Sequence, residues 1–369
     1  MFLLILRLVI VFVGLVAAGI LFYKIPKIPH VTLNDPSLRV SVIIPCRNEE
    51  HTIGLLLQDL MQQTLIPHEV IVVDDDSTDK TVAIAKEYPI RILEIKEKAK
   101  GWIGKSWALW QGSQIATGEV YLFLDSDVRL DHEAIMRLAS LYQKEKCTIS
   151  VQPYHATQRA YEQLSLPFNL IQIAANQTAI PKQKPIGCYG PIILISKKDY
   201  FAIGGHESVK DSIVEDMSLG QVLRRKGLSF QTYVGDVGLN FRMYPLGIKT
   251  LIQGWTKNMA AGAMKTPFML SLGVFFFIAS ILSGPIQIVR YSLLGLEWWA
   301  LVFGIGTRLW IPILRKISHQ IGHNQWGGLV LYPIIFTFFV VLFTLSLVKK
   351  IFKRPVIWKD RTIRSRNPS

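Results

Sequence analysis

From Arg39 to about Asp125, short β-branched runs alternate with stretches of helical apolar spacing. "RVSVIIP" and "EVIVVDDD" are apolar on both faces of an extended chain, which predicts strands buried within a parallel sheet. Between them, "EEHTIGLLLQDLMQQ" has helical apolar spacing, and "TDKTVAIAKEY" predicts a second helix opening at a Thr/Asp cap. "IRILEI" and "VYLFLD" supply a third and a fourth strand. Strand–helix alternation of this kind predicts an α/β fold with ligands at the carboxyl ends of the strands. After Val151 the regularity breaks. "YEQLSLPFNLIQIAANQTAIPKQKP" is too interrupted to span a bilayer; it fits an interfacial segment, the roof of an acceptor pocket or a buried helix. "DSIVEDMSLGQVLRRKG" is helical, with a basic last turn and a closing Gly.

Longer apolar blocks bracket this region. "MFLLILRLVIVFVGLVAAGILFYK" matches the roughly 20 residues a span needs, with Arg7 near enough to its end to snorkel. The rival reading is a cleaved signal peptide. Lys24, Lys27 and Arg39 follow it, which places the next segment in the cytosol. Beyond Thr266 lie Phe268–Val289, Leu294–Leu314 and Leu329–Val348. The first and last predict spans; the middle block carries Arg308 and Pro312. Three full spans would put the basic end outside, against the positive-inside rule, so the middle block is expected to be re-entrant or interfacial. The expected organisation is an anchor at 1–23, a cytosolic domain at 38–262, a membrane region at 267–348 and a basic tail at 349–369. That describes a multi-pass protein of the cell membrane.

Composition sharpens this. Half of the 369 residues are hydrophobic, and the formal charge is +14. Much of the excess lies beside apolar runs, at Lys24, Lys27, Lys349, Lys350, Lys353 and Arg354, which favours lipid headgroups as partner. The tail "KKIFKRPVIWKDRTIRSR" reads as a juxtamembrane anchor; no nucleic-acid fold signature accompanies it. Cys46, Cys147 and Cys188 are odd in number and widely spaced. They read as thiols in a reducing compartment, with no disulfide or zinc framework.

Acidic groups gather where the predicted strands end. "VVDDDSTD" closes the second strand with Asp74, Asp75 and Asp76. A strand-end Asp can accept from a uracil imide N–H or a ribose hydroxyl, and the same string also makes a turn and helix cap. The fourth strand ends in Asp125-Ser126-Asp127. Two buried carboxylates need a countercharge: a Lys or Arg, a helix N-terminus, or a divalent cation that also grips a diphosphate. "KAKGWIGKSWALWQG" places Lys98, Lys100 and Lys105 on a Gly-rich loop opening a helix, which suits phosphate oxygens or a solvated basic loop. Glu215-Asp216 by itself is a charged helix face.

The order and spacing of "VSVIIPCRNEE", "VIVVDDDSTD", "GKSWALWQG", "FLDSDV", "GGHE" and "VEDMSLGQVLRRKG" resemble the family 2 glycosyltransferases, over roughly residues 40–230. The resemblance implies a GT-A-like nucleotide-sugar-binding domain and an inverting reaction. It assigns Asp125 and Asp127 to the diphosphate and metal site, with Mn²⁺ or Mg²⁺ as the countercharge. It gives Asp75 the uridine contact, puts Lys105 near the base and diphosphate, and lines the nucleotide end with Pro45, Arg47, Asn48 and Glu49. Glu215 and Asp216 match the acidic pair in which the Asp is the general base, as deprotonation of an acceptor hydroxyl requires. "SVQPYHATQRAYEQLSLPFNL", "GCYGPIILISKKDYFAIGGH", "FRMYPLG" and "QGWTKNMAAGA" are similar to the membrane glycosyltransferases of carotenoid-acid glycosylation, over nearly the whole chain. That implies glucosyl transfer from UDP-glucose to the carboxyl of an apolar C30 carotenoid acid. A carboxylate acceptor needs little help from a base, so Asp216 suits a hydroxylated lipid equally well. The Gln-x-x-Arg-Trp motif of processive polysaccharide synthases is absent; "QGWTKN" keeps Gln253 and Trp255 but offers Lys257.

Overall fold

The computed structural model describes residues 2–30, 37–352, 356–358 and 361–363. The chain forms two compact units. One comprises Met1–Ile25, Thr157–Lys184 and Tyr244–Phe352; the other comprises Pro26–Ala156, Pro185–Met243 and Lys353–Ser369.

Outside its tail segment, the second unit has ten strands among the described residues. They are β1 (Val40–Cys46), β2 (Glu69–Asp74), β3 (Arg91–Glu94), β4 (Val120–Leu124), β5 (Val128–Leu130), β6 (Thr148–Gln152), β7 (Tyr154–His155), β8 (Ile192–Ser196), β9 (Phe230–Val234) and β10 (Leu239–Phe241). Seven form one sheet in the order β3-β2-β1-β4-β8-β6-β9, and β5, β10 and β7 form a small second sheet. The predicted strands pair in parallel, β3 with β2, β2 with β1 and β1 with β4. Beyond β4 the sheet is mixed, since β8 runs antiparallel to both β4 and β6. The period-2 alternation of a strand explains the two cores. Val42, Ile44, Val72, Leu122 and Leu124 pack on one face with Leu56, Leu57 and Leu138. Ile43, Ile71, Val73, Tyr121 and Phe123 pack on the other with Leu109, Tyr200 and Leu219.

The first unit is helical. Three of its helices are long and apolar enough to cross a membrane: residues Leu4–Leu21, Phe268–Leu293 and Tyr332–Ile351. Gly14 lets the first pack closely on the second, where an added Cβ would overlap Ser280; the Ser280 hydroxyl donates to the Val11 carbonyl (3.0 Å). The middle apolar block forms the helix Glu297–Ser318, which is as long but carries Glu297, Arg308, Arg315 and Lys316, and it is not among those three. The interrupted segment after Val151 becomes a 3-10 turn, Ala160–Ser165, and a helix, Leu166–Ala175. It is buried: Phe168 stacks on Trp255 at 4.4 Å and lies edge-on to Phe339.

Several boundaries differ from the expectation. "TDKTVAIAKEY" makes only the short helix Thr81–Ala85. Asp79 accepts from the Thr81 N–H (3.0 Å) at its start as a cap would, but beyond Ala85 the Glu87 and Tyr88 N–H groups donate three residues back, to Ile84 and Ala85, and the α-helix stops. The 38–262 stretch is not one compact unit: Thr157–Lys184 and Tyr244–Ala263 group with the apolar helices. "QGWTKN" lies on the helix Ile248–Ala263, where the Trp255 indole N–H donates to the Ser165 hydroxyl. In the tail, Val356–Trp358 pairs antiparallel with Arg361–Ile363. The remaining tail positions, including Lys353, Arg354 and Arg364, lie outside the described residues.

Candidate active site

The carboxyl ends of β2, β1 and β4 lie side by side along one sheet edge, where the chain delivers its polar residues. Asp125 follows the last residue of β4, its N–H donating to the Pro191 carbonyl (2.9 Å), and the Val128 N–H closes the Asp125-Ser126-Asp127 turn onto the Asp125 carbonyl (3.2 Å). Asp127 is half-buried on that turn. Lys105 is the second residue of the helix Gly104–Ile115. Its ammonium stands 2.6 Å from Asp125 Oδ1 and 3.4 Å from Glu215 Oε1. Glu215 and Asp216 open the helix Glu215–Arg225, where the macrodipole favours negative charge.

Asp216 is held at both oxygens. The Gly190 N–H donates to Oδ2 and the Met217 N–H to Oδ1, each at 2.8 Å. A side chain at Gly190 would be crowded, because a Cβ would sit 3.0 Å from Asp216 Oδ2 and 3.2 Å from Lys105 Nζ, so both groups would have to give way by a few tenths of an ångström. Burial and the neighbouring Glu215 charge push the Asp216 carboxyl up to about 6, despite Lys105 and the two N–H donors. Burial likewise raises Asp125, against the opposing pull of Lys105. Burial disfavours the Lys105 ammonium, yet the charges of Asp125 and Glu215 hold it well above the ordinary lysine range. Asp125, Lys105, Glu215 and Asp216 therefore form one charge-coupled cluster.

The second group of expected residues surrounds the end of β2. Pro45 faces Val73 and Cys46 faces Asp74 in the β1–β2 register. The Asp75 N–H donates to the Cys46 carbonyl (2.8 Å), and Asp75 is buried. Arg47 braces this loop, donating to the carbonyls of Asp75 and Asp76. Asn48 and Asp76 both adopt positive φ, 51° and 61°, as the sharp turn there requires. The Asn48 side chain accepts from the Thr78 N–H. Glu49 is tied to Thr52 and, through its N–H, to Thr81; its charge also acts on Asp125. The turn reading of "DDDSTD" holds for Asp74, which accepts from the Ser77 N–H, and for Asp79.

Two positions were not singled out from the sequence. Gly190 belongs to "GCYGP", and a Gly directly before a Pro and a strand was its only signal. His206, in "GGHE", is fully buried beside Phe123, and burial lowers its pKa to about 4. Its backbone N–H donates to the Tyr200 oxygen (3.1 Å), and that hydroxyl and His206 Nδ1 are also hydrogen-bonded, at 2.8 Å.

A divalent cation fits this chemistry. Among the described residues no three His, Cys, Asp or Glu are grouped to hold a metal unaided. Mg²⁺-type sites need only one or two carboxylates when substrate phosphates complete the shell. Asp125 and Asp127 could supply two, and Asp125 already carries a positive neighbour in Lys105.

Residues 41–201 match the family model described as "Glycosyl transferase family 2". The chain is 34% identical over 366 residues, 96% of each sequence, to 4,4'-diaponeurosporenoate glycosyltransferase of Staphylococcus aureus strain MRSA252. It is 33% identical, with the same coverage, to the protein of that name in strain USA300. Among solved structures, mannosyltransferase PcManGT from Pyrobaculum calidifontis, in complex with GDP-Man and Mn2+, superposes with a TM-score of 0.54. That match has 17% identity and covers 88% of this chain and 99% of the other.

Proposed function

Because the chain belongs to glycosyl transferase family 2 and is a glycosyltransferase, we propose that it moves glucose, with inversion, from UDP-glucose to the carboxyl of 4,4'-diaponeurosporenoate. The single observation that carries this reading is the cluster of Asp125, Lys105, Glu215 and Asp216 at the carboxyl edge of the sheet. Asp75 accepts from the uracil imide or the ribose, with Pro45, Arg47, Asn48 and Glu49 shaping that end. Lys105 turns from Asp125 towards the diphosphate. Asp125 and Asp127 would hold Mn²⁺ or Mg²⁺, which would supply positive charge for the diphosphate. The acceptor oxygen attacks the anomeric carbon as the bond to UDP breaks; a carboxylate brings no proton to remove. Asp216, fixed by Gly190 and Met217, positions that acceptor, and Glu215 keeps Lys105 in place. The donor is cytosolic, so the 38–262 stretch faces the cytosol and the apolar helices anchor the protein in the cell membrane as a multi-pass protein.

A second reading has its own support. A carboxylate whose pKa is raised to about 6 suits a general base working near neutral pH, as a hydroxylated lipid acceptor would require. Assaying Asp216→Asn with the carotenoid acid and with a hydroxylated lipid separates the two. A positioned base contributes roughly 10²–10⁴-fold, so the variant should lose that on a hydroxyl and much less on a carboxylate. Wild-type enzyme that ignores the acid and glycosylates only hydroxyl lipids would refute the carotenoid assignment.

A further inference from the structure

The helical unit carries fourteen Lys and Arg against two Glu and no Asp, and so accounts for +12 of the chain's +14. Most of those cations are exposed, Arg315 among them, but Arg315 also lines a pocket. Arg315, Ser318, His319, Asn324, Trp326 and Leu329 line a cavity of about 80 Å³. The Arg315 guanidinium lies over the Trp326 ring, 4.0 Å from its centroid. It makes no ion pair or side-chain hydrogen bond with the described residues, so its N–H groups remain available while the stacking fixes their plane. Asn324 Nδ2 donates one N–H to the Gly322 carbonyl (3.1 Å) and has a second, while the Ser318 hydroxyl donates to the Arg315 carbonyl (3.4 Å).

The wall opposite the helix is fixed by a network that uses none of these lining side chains. The Thr157 hydroxyl donates to the His323 carbonyl, Gln163 donates to Thr157 (2.6 Å), and the Gln325 N–H donates to Gln163 Oε1 (3.3 Å). Gly328 is pressed so closely on Gln163 that a Cβ would stand 2.9 Å from Oε1. These contacts tie down the 323–328 segment that carries Asn324 and Trp326. From the rim of the pocket, exposed Val330, Leu331 and Ile334 continue onto the apolar helix Tyr332–Ile351.

We propose that this pocket binds the headgroup phosphate of an anionic phospholipid, with the acyl chains lying along Val330, Leu331 and Ile334. A planar, stacked guanidinium with free N–H donors matches phosphate oxygens bidentately, and the Trp-lined rim is the composition of a headgroup-level site. Arg315 also occupies the last turn of its helix, where any cation serves the dipole. Lys316 does the same but does not line the pocket, and it therefore provides the control. The proposal rests on the membrane placement given above and is independent of donor and acceptor.

The test is native mass spectrometry of the detergent-purified full chain with added phosphatidylglycerol or phosphatidylcholine. Wild type should hold one phosphatidylglycerol in preference to phosphatidylcholine. Arg315→Gln should weaken that binding roughly tenfold or more, as loss of a charge-assisted pair implies. Arg315→Lys keeps the charge and should still bind more weakly than wild type, and Trp326→Leu should weaken binding through loss of the stack. Lys316→Gln should leave it within about twofold, as an exposed charge outside the site would. Equal losses in Lys316→Gln and Arg315→Gln would overturn the site in favour of diffuse surface charge. Displacement of the lipid by inorganic phosphate would overturn it in favour of a free-anion site. If purified protein needs no detergent, the membrane placement itself fails, a result distinct from unchanged lipid binding in Arg315→Gln.

Discussion

Replacing Lys105 by Met removes the only cation bonded to Asp125 among the described residues while keeping most of the side-chain volume. At 2.6 Å and an effective dielectric constant of about 20, two unit charges attract by ~6 kcal/mol, much of it offset by desolvation. Removing one partner of a fully buried pair costs about 3–5 kcal/mol. Here the side chains are 31% and 26% exposed, so solvent screening brings the expected loss to about 2–3 kcal/mol. A unit of this size should then melt ~5–10 °C lower. The assay is thermal unfolding of the detergent-purified chain, without donor, for wild type, Lys105→Met, Asp125→Asn and the double variant. The double variant should be more stable than the sum of the single losses, by about 1–2 kcal/mol, because no ionised Asp125 is left unpaired. Added Mn²⁺ should raise the melting point of Lys105→Met more than that of wild type, since a ligand of the native state stabilises it. Unchanged melting in Lys105→Met, or strictly additive losses, would refute the claim that this lysine holds the acidic cluster together.

Asp127→Asn keeps the shape of the turn but removes a proposed metal ligand. Turnover should fall by several kcal/mol of transition-state stabilisation and cease in excess EDTA; near-wild-type rates in either case would remove the metal from the reaction. Asp216 accepts a proton only when ionised, so turnover on a hydroxylated lipid should fall as pH drops below about 6; a flat profile from pH 5 to 8 contradicts its role as base. The same raised pKa implies that ionising Asp216 costs folding stability as pH rises from its unfolded value of 3.8 towards about 6. Gly190→Ala should cut turnover with little change in expression, because its Cβ would push apart Asp216 and Lys105; full activity would show that the contact is not needed. A cysteine introduced near Arg364 should escape labelling from outside intact cells, and efficient labelling would put the tail outside.

The strands were legible wherever burial on both faces forced an unbroken apolar run, as in β1, β2 and β4. β8 was harder to foresee, because nothing in "PIILIS" tells an antiparallel partner from a parallel one; direction is set by the connection, not by the strand. The helix expected after Asp75 shrank at its far end, where the Glu87 and Tyr88 N–H groups donate three residues back instead of four. Asp125 stood out as a charge ending an apolar run, whereas Glu215 and Asp216, by themselves a charged helix face, stood out only through the family resemblance. Gly190 and the Tyr200–His206 pair did not, since one acts through backbone and the other is packed like core. The membership of Thr157–Lys184 and Tyr244–Ala263 in the helical unit depends on long-range packing such as Phe168 on Trp255, which no local pattern encodes.

The most direct test of the proposed reaction is to incubate purified protein with UDP-[¹⁴C]glucose, Mn²⁺ and 4,4'-diaponeurosporenoate and to follow label into the organic phase. Label should enter a carotenoid product that mild base returns to the free acid, as a glycosyl ester requires, with UDP released in equal amount. A labelled product that resists mild base, or no metal-dependent release of UDP, would contradict it.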